Sequence, residues 1–241
     1  MTTLPRPVND APEDLAQRLA DVRGRIADAE RRAGRLAGGV TLIGVVKTLP
    51  AEQIAAAVSL GLLDLGENRV QEAEEHQKVV ARNAARWHLI GHLQKNKVGR
   101  GLALFDCVHG VDDAELAQAL ARRAETMGRR RIPVLVEVNV SGESSKFGAT
   151  PEGLAGLLER VFQLGAHDLR GLMTVGAPVE RAEDARPGFA RLRELRDEAE
   201  RRLGQPLRDL SMGMSGDYEV AVEEGATMVR VGTALFGARH P

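Results

Sequence analysis

The residues that could do chemistry in this 241-residue chain gather at the ends of apolar runs. The first run is Val40-Thr41-Leu42-Ile43-Gly44-Val45-Val46, and it ends on Lys47. Only five lysines occur (Lys47, Lys78, Lys95, Lys97 and Lys146), and arginine supplies most of the positive charge. A lysine can lose its proton in a dry pocket and attack a carbonyl carbon; arginine cannot. Taken alone, Lys47 is better explained as a strand-end side chain reaching for solvent, because buried charges are rare. Two later stretches reverse that balance. Met212-Gly213-Met214-Ser215-Gly216 and Arg230-Val231-Gly232-Thr233-Ala234 join glycines to hydroxyl residues, a composition that lets backbone N–H groups close on a phosphate. The alternative is a pair of tight turns. Arg230 lies between two valines, where a guanidinium needs an acceptor. It either pairs with a neighbouring carboxylate, Glu223 or Glu224 for instance, or donates to a ligand atom.

These residues need a scaffold. Leu15, Leu19, Val22, Ile26 and Ala29 recur at helical spacing and predict a helix over 14–35, stopped by Gly38-Gly39. From Val40 the chain alternates. Strands are predicted over 40–47, 62–65, 87–90, 107–111, 133–140, 169–175, 207–212 and 228–231. Helices are predicted over 51–60, 70–82, 94–104, 114–127, from Pro151 onward, 188–203 and 218–224. Asp112 or Asp113 can cap the helix at 114, and Pro151 suits the first turn of its own. Eight strands separated by helices argue for a parallel sheet closed into a single (β/α)8 barrel domain over 1–241, with an extra N-terminal helix and a disordered tail over 1–12. Chemistry in such barrels lies at the carboxyl ends of the strands. Lys47, Asn68, His92, the 139–147 loop, Met173-Thr174, 211–215 and 230–233 all fall there.

Composition excludes several classes. A hydrophobic fraction of 43% and a charged fraction of 28% are those of an ordinary globular chain. The net charge of −1 gives no field toward nucleic acid or an acidic membrane. A lone cysteine, Cys107, forms no intramolecular disulfide and suits a reducing cytoplasm. No stretch is long and apolar enough to span a membrane, and the first ten residues lack the core of a signal peptide. No Cys/His cluster shows metal-ligand spacing. His88 reads as a satisfied core histidine, and His92 at the strand end reads as site-lining. Asn68 reads as a ligand contact or a turn closure. Lys95 and Lys97 read as a solvated helix start, and Lys146 as a rim lysine.

An amine nucleophile, a phosphate cradle and a buried arginine answer one ligand together, pyridoxal 5′-phosphate. The segments that carry this reading resemble the pyridoxal-phosphate-binding homeostasis protein family. They are Val46-Lys47-Thr48, Gly66-Glu67-Asn68-Arg69-Val70-Gln71-Glu72, 87–97, Glu137 to Gly148, Gly171-Leu172-Met173-Thr174, Leu210 to Ser215 and Met228 to Gly237. The resemblance implies a barrel of the alanine-racemase type and an internal aldimine on Lys47. It implies that Ser215, Gly232 and Thr233 hold the phosphate, with Ser211 and Met214 nearby, and that Arg230 faces the pyridine nitrogen. Asn68 and His92 are the remaining cofactor contacts it suggests, and Lys146 has a possible part in cofactor exchange. Arg69 and Val46 depart from the family pattern, which commonly has an aromatic and a serine there.

An arginine at the ring nitrogen disfavours its protonation and weakens the ring as an electron sink. A racemase of this fold also needs a second acid/base opposite the lysine. The resemblance attributes that tyrosine to an added domain, whereas here the chain ends at Pro241 and its only tyrosine, Tyr218, reads as surface or phosphate-side packing. The expectation is a cytoplasmic, monomeric cofactor carrier, without efficient catalysis, that buffers the cofactor and serves apoenzymes. The alternatives are an amino-acid racemase and a Schiff-base aldolase.

Overall fold

The architecture follows from strands that are apolar on their outer face and selectively polar on their inner one. It is seen in a computed structural model that describes residues 12–129, 131–143 and 146–238. Eight parallel strands close into a barrel in chain order, with the last pairing the first. They are β1 (Thr41–Val45), β2 (Asp64–Glu67), β3 (Arg86–Leu89), β4 (Cys107–Val111), β5 (Ile132–Glu137), β6 (His167–Met173), β7 (Asp209–Ser211) and β8 (Met228–Val231). The helices are α1 (Pro12–Arg32), α2 (Ala51–Ser59), α3 (Val70–His76), α4 (Val98–Leu104), α5 (Ala114–Thr126), α6 (Pro151–Gln163), α7 (Arg186–Leu203), α8 (Tyr218–Glu223) and α9 (Thr233–Phe236). Local chemistry sets several boundaries. Asp113 caps α5 by accepting from the Leu116 N–H, and Thr150 caps α6, which opens on Pro151. Gly204 ends α7 in the left-handed region at φ 64°.

Leu42, Val46, Leu65, Leu89, Val229 and Val231 belong to the core between barrel and helices. Cys107, Leu135 and Met173 form a separate buried cluster. Strand alternation accounts for the two sets: the first faces outward and the second into the barrel. The helix preceding β1 does not plug the barrel. It lies outside, its apolar stripe buried, and Arg25 and Arg32 pair with Glu219 and Glu223 of α8.

The structure corrects several boundaries. Helix α1 begins at Pro12 and ends at Arg32; the rest of the expected tail, residues 1–11, lies outside the described residues. Strand β1 stops at Val45, two residues before Lys47. Strand β2 runs two residues later than the expected 62–65: it opens on the buried Asp64, held by Arg86 and His88, and continues to the buried Glu67, held by His76. Helix α3 ends at His76 rather than near 82, and Arg82 instead reaches Asp106 in a two-bond pair of 2.9 and 2.6 Å. The 94–104 helix is a short 3-10 turn over Lys95–Lys97 followed by α4. Strand β5 ends at Glu137 instead of 140, leaving only an isolated bridge from Val138 to Ala149.

Candidate functional site

The carboxyl end of the barrel receives Lys47 from the turn after β1. Its position is set by two grips on the next residues. The Thr48 N–H donates to Glu72 Oε2 at 3.1 Å, and His76 Nε2 lies 2.9 Å from the Leu49 carbonyl oxygen. His76 Nδ1 meets the buried Glu67 carboxylate at 2.5 Å. That bond raises the His76 imidazole, while burial raises Glu67. Thr48 has φ 62°, the sole positive value outside glycine among the described residues, and strained for a β-branched side chain. Lys47 itself is half-buried and has no hydrogen bond or ion pair among the described residues.

Strand β8 neighbours β1 and pairs Arg230 with Ile43. Arg230 is 3% exposed. Its Nη1 donates to Ser211 Oγ at 2.6 Å and its Nη2 to the Thr174 carbonyl oxygen at 2.7 Å. Burial lowers it to about 10, against the raising fields of Glu137 and Asp217. The expected carboxylate partners are elsewhere: Glu223 binds Arg32 and Arg186, and Glu224 binds Arg186 and Arg193. The arginine is thus held by neutral acceptors, with no carboxylate bonded to it among the described residues.

The loops after β7 and β8 meet through Ser215. Its Oγ accepts from the Gly232 N–H at 3.1 Å and the Ala234 N–H at 3.2 Å. These two donors converge on one oxygen, the arrangement that a phosphate oxygen would also satisfy. Asp217 stiffens the loop by accepting from the Met214 N–H at 2.6 Å. Gly213 has φ 90°, and a Cβ there would lie 2.5 Å from Ala221 Cβ, so only glycine lets α8 approach this loop. Thr233 opens α9, a short helix not among those predicted from sequence. Met214 is partly exposed at the same loop.

Ser211 does not join this cradle. It is fully buried, between Arg230 and His109 Nδ1 at 3.0 Å. His109 Nε2 lies 2.9 Å from His88 Nδ1, and His88 Nε2 lies 2.9 Å from Asp64 Oδ1. His88 is therefore the satisfied core histidine expected. His88, Cys107 and His109 also bring three possible metal-ligating atoms within 4.8 Å of one another, a grouping that sequence spacing concealed. The two imidazoles are engaged on each other, and burial pushes the Cys107 thiol upward.

At the mouth, His92 stacks on Phe147 with centroids 4.4 Å apart, and its Nδ1 lies 3.1 Å from Asp112 Oδ2. Asn68 and His92 share a pocket of about 670 Å³ with Arg69, Gln71, Glu72 and Lys97. Glu137, given no role of its own by the sequence reading, is a buried carboxyl at the end of β5 that burial and Asp112 raise to about 7, against the lowering field of Arg230. Asn139 folds its loop on itself through Ser141, Gly142 and Glu143. Lys146 pairs with Glu143 at 3.0 Å, and the adjoining Ser144 and Ser145 lie outside the described residues. Tyr218 is not at the surface: it is 1% exposed under the Arg25 guanidinium, 5.4 Å from its ring centre.

A strand-end amine, a paired N–H cradle and a carboxylate-free arginine at one barrel mouth make the comparison with known proteins specific. The alanine racemase N-terminal domain profile matches residues 19–240. A pyridoxal phosphate homeostasis protein of Aquifex aeolicus is 44% identical over 94% of this chain and 99% of its own length. The chain belongs to the pyridoxal phosphate homeostasis protein family. A member from Pseudomonas aeruginosa is 45% identical over 93% of this chain and 96% of its own. PipY of Synechococcus elongatus, solved with pyridoxal phosphate bound, superposes with a TM-score of 0.81 at 36% identity, covering 92% of this chain and all of that one. Membership accounts for the barrel and for the strand-end placement of polar residues.

Proposed function

We propose that the protein binds pyridoxal 5′-phosphate covalently through Lys47 and acts in homeostasis of that cofactor as a carrier. The observation that carries this reading is the free half-buried amine of Lys47 at the same barrel end as the Ser215 cradle and Arg230. The residues present suit the group. The Gly232 and Ala234 N–H groups and the Ser215 hydroxyl suit its phosphate, with Thr233 and Met214 alongside. Arg230 suits an unprotonated ring nitrogen, because a guanidinium only donates. Asn68 and His92 line the mouth. When bound, the cofactor supplies an electrophilic carbon for amines.

What the side chains do on their own explains the preference for carriage. Arg230 keeps its protons at about 10, so it withholds a proton from any ring nitrogen it meets. Tyr218 is buried against α1 and offers no acid opposite Lys47. A Schiff-base aldolase would use the lysine and cradle but leave Arg230 without a task. Recipient apoenzymes and a monomeric state belong to the same proposal, as does a cytoplasmic location; among the described residues no helix is long and apolar enough to cross a membrane.

The deciding experiment is the visible spectrum of protein incubated with the cofactor, before and after borohydride, with peptide mapping. A yellow band that bleaches and a reduced adduct on Lys47, lost in Lys47→Ala, is the expected result. A colourless protein with no adduct overturns the reading. Robust racemisation of an amino acid by the loaded protein would replace carrier by enzyme.

A further inference from the structure

The buried interior of the barrel contains an unbroken run of polar contacts. Arg86 Nη2 donates to Asp64 Oδ2 at 2.7 Å, and Asp64 Oδ1 meets His88 Nε2 at 2.9 Å. His88 Nδ1 meets His109 Nε2 at 2.9 Å, His109 Nδ1 meets Ser211 Oγ at 3.0 Å, and Ser211 Oγ accepts from Arg230 at 2.6 Å. Five strands supply the members: β2, β3, β4, β7 and β8. Asp64 and Arg86 open β2 and β3 at the amino end of the barrel, whereas Arg230 serves the carboxyl end.

The two ends fix the order of protons. Arg230 can only donate. Burial would raise the Asp64 carboxyl, but the bonds from His88 and Arg86 outweigh it and hold it below the usual range, so it only accepts. Burial keeps the His109 imidazole well below its ordinary value, and His88 and Arg230 add to that, so it is neutral. In the arrangement with a single proton on each imidazole, every link is a donor–acceptor pair. Arg230 donates to Ser211, the Ser211 hydroxyl to His109 Nδ1, the His109 Nε2–H to His88 Nδ1, and the His88 Nε2–H to Asp64.

We propose that Asp64, His88 and His109 are positioning residues that relay the negative charge of Asp64 through Ser211 to Arg230, and so set how strongly its guanidinium acts on the ring nitrogen of a bound pyridine cofactor. This rests on the preceding assignment of the ligand. Polarised chains strengthen link by link, and this one runs from a cation to an anion. A relayed counter-charge stabilises a guanidinium that is 3% exposed while leaving its remaining N–H groups unclaimed. The carboxylates whose fields reach Arg230 directly, Glu137 and Asp217, are not bonded to it. The seryl hydroxyl thereby belongs to the arginine and not to the phosphate cradle.

Two measurements test the relay. In cofactor-free protein, nitrogen-15 NMR of the imidazoles is expected to show His88 and His109 both protonated on Nε2. A proton on Nδ1 of His109 overturns the order. In cofactor-loaded protein, Asp64→Asn is expected to move the pH midpoint of the visible band downward by about one unit, because an uncompensated guanidinium disfavours a nearby cation. Asp64→Glu is expected to restore part of the shift. If Asp64→Asn does not fold, His109→Gln replaces it, with the same direction expected. A midpoint unmoved in the folded variant overturns the relay while the adduct on Lys47 stands. A wild type without the adduct overturns the ligand assignment instead, and the NMR order is still read independently.

Discussion

Glu137 is a residue whose charge depends on the fold. Its carboxyl rises from an ordinary 4.5 to about 7 because burial, and then Asp112, disfavour the anion. Between those values the folded protein keeps a proton that the unfolded chain has lost. Stability is therefore full below pH 4.5 and falls as pH rises toward 7, where the loss is complete. Glu137→Gln is expected to flatten that slope and to exceed the parent at pH 8 by on the order of 2 kcal/mol, read by urea unfolding at pH 5 and 8. Equal slopes in both proteins would mean that the carboxyl finds water in the native state. Thr48 is the second case. Its φ of 62° costs a β-branched residue about 1–2 kcal/mol, and asparagine tolerates that region better. Thr48→Asn is expected to raise the melting temperature by about 2–4 °C. An unchanged or lower melting temperature would show that the threonine side chain compensates its own backbone.

At the scale of elements the sequence was more legible than at the site. Strand β8 was legible to the residue, and eight alternations were enough to predict closure, because parallel strands buried on both sides read as apolar runs. The buried Glu67 lay beyond the expected end of β2, which is why that strand was placed too early. A polar residue looks like the end of a strand until its partner, here His76, is in view. Lys47, Arg230 and Ser215 stood out by type and place. Asp64 and His109 did not, since only barrel closure brings them into one run with Ser211 and Arg230. The α9 turn escaped because four residues carry no periodicity. The loop between β7 and α8 supplies the test at this scale. Gly213→Ala would force a Cβ to 2.5 Å from Ala221 in a left-handed backbone. It is expected to cost about 2–4 kcal/mol and to weaken cofactor binding along with it, read by thermal melting and spectral titration. Stability lost with affinity intact would separate this loop from the phosphate cradle.

Barrel closure between β1 and β8 leaves the outer face of α8 to be covered, and α1 covers it from the opposite end of the chain. Two kinds of contact hold α1 there, and they differ in strength. Arg32 pairs with Glu219 and Glu223 in water, where ion pairs contribute little. Leu19 is 3% exposed, and truncating such a side chain costs about 2–5 kcal/mol. Arg35, just past the helix, donates to the Val222 and Ala226 carbonyl oxygens at 2.7 and 2.9 Å and so ties the end of α8 to the turn before β8. Because α8 starts at Tyr218, and the Met214 carbonyl oxygen accepts from its N–H, movement of that helix is transmitted to the cradle loop. Leu19→Ala is therefore expected to lower the urea midpoint and, where the variant is still folded, to weaken cofactor binding severalfold. Arg32→Ala is expected to leave both in place. Unfolding and spectral titration on the same samples separate the possibilities: a Leu19→Ala protein that is less stable yet binds normally would make α1 a cover for the core, uncoupled from the barrel mouth.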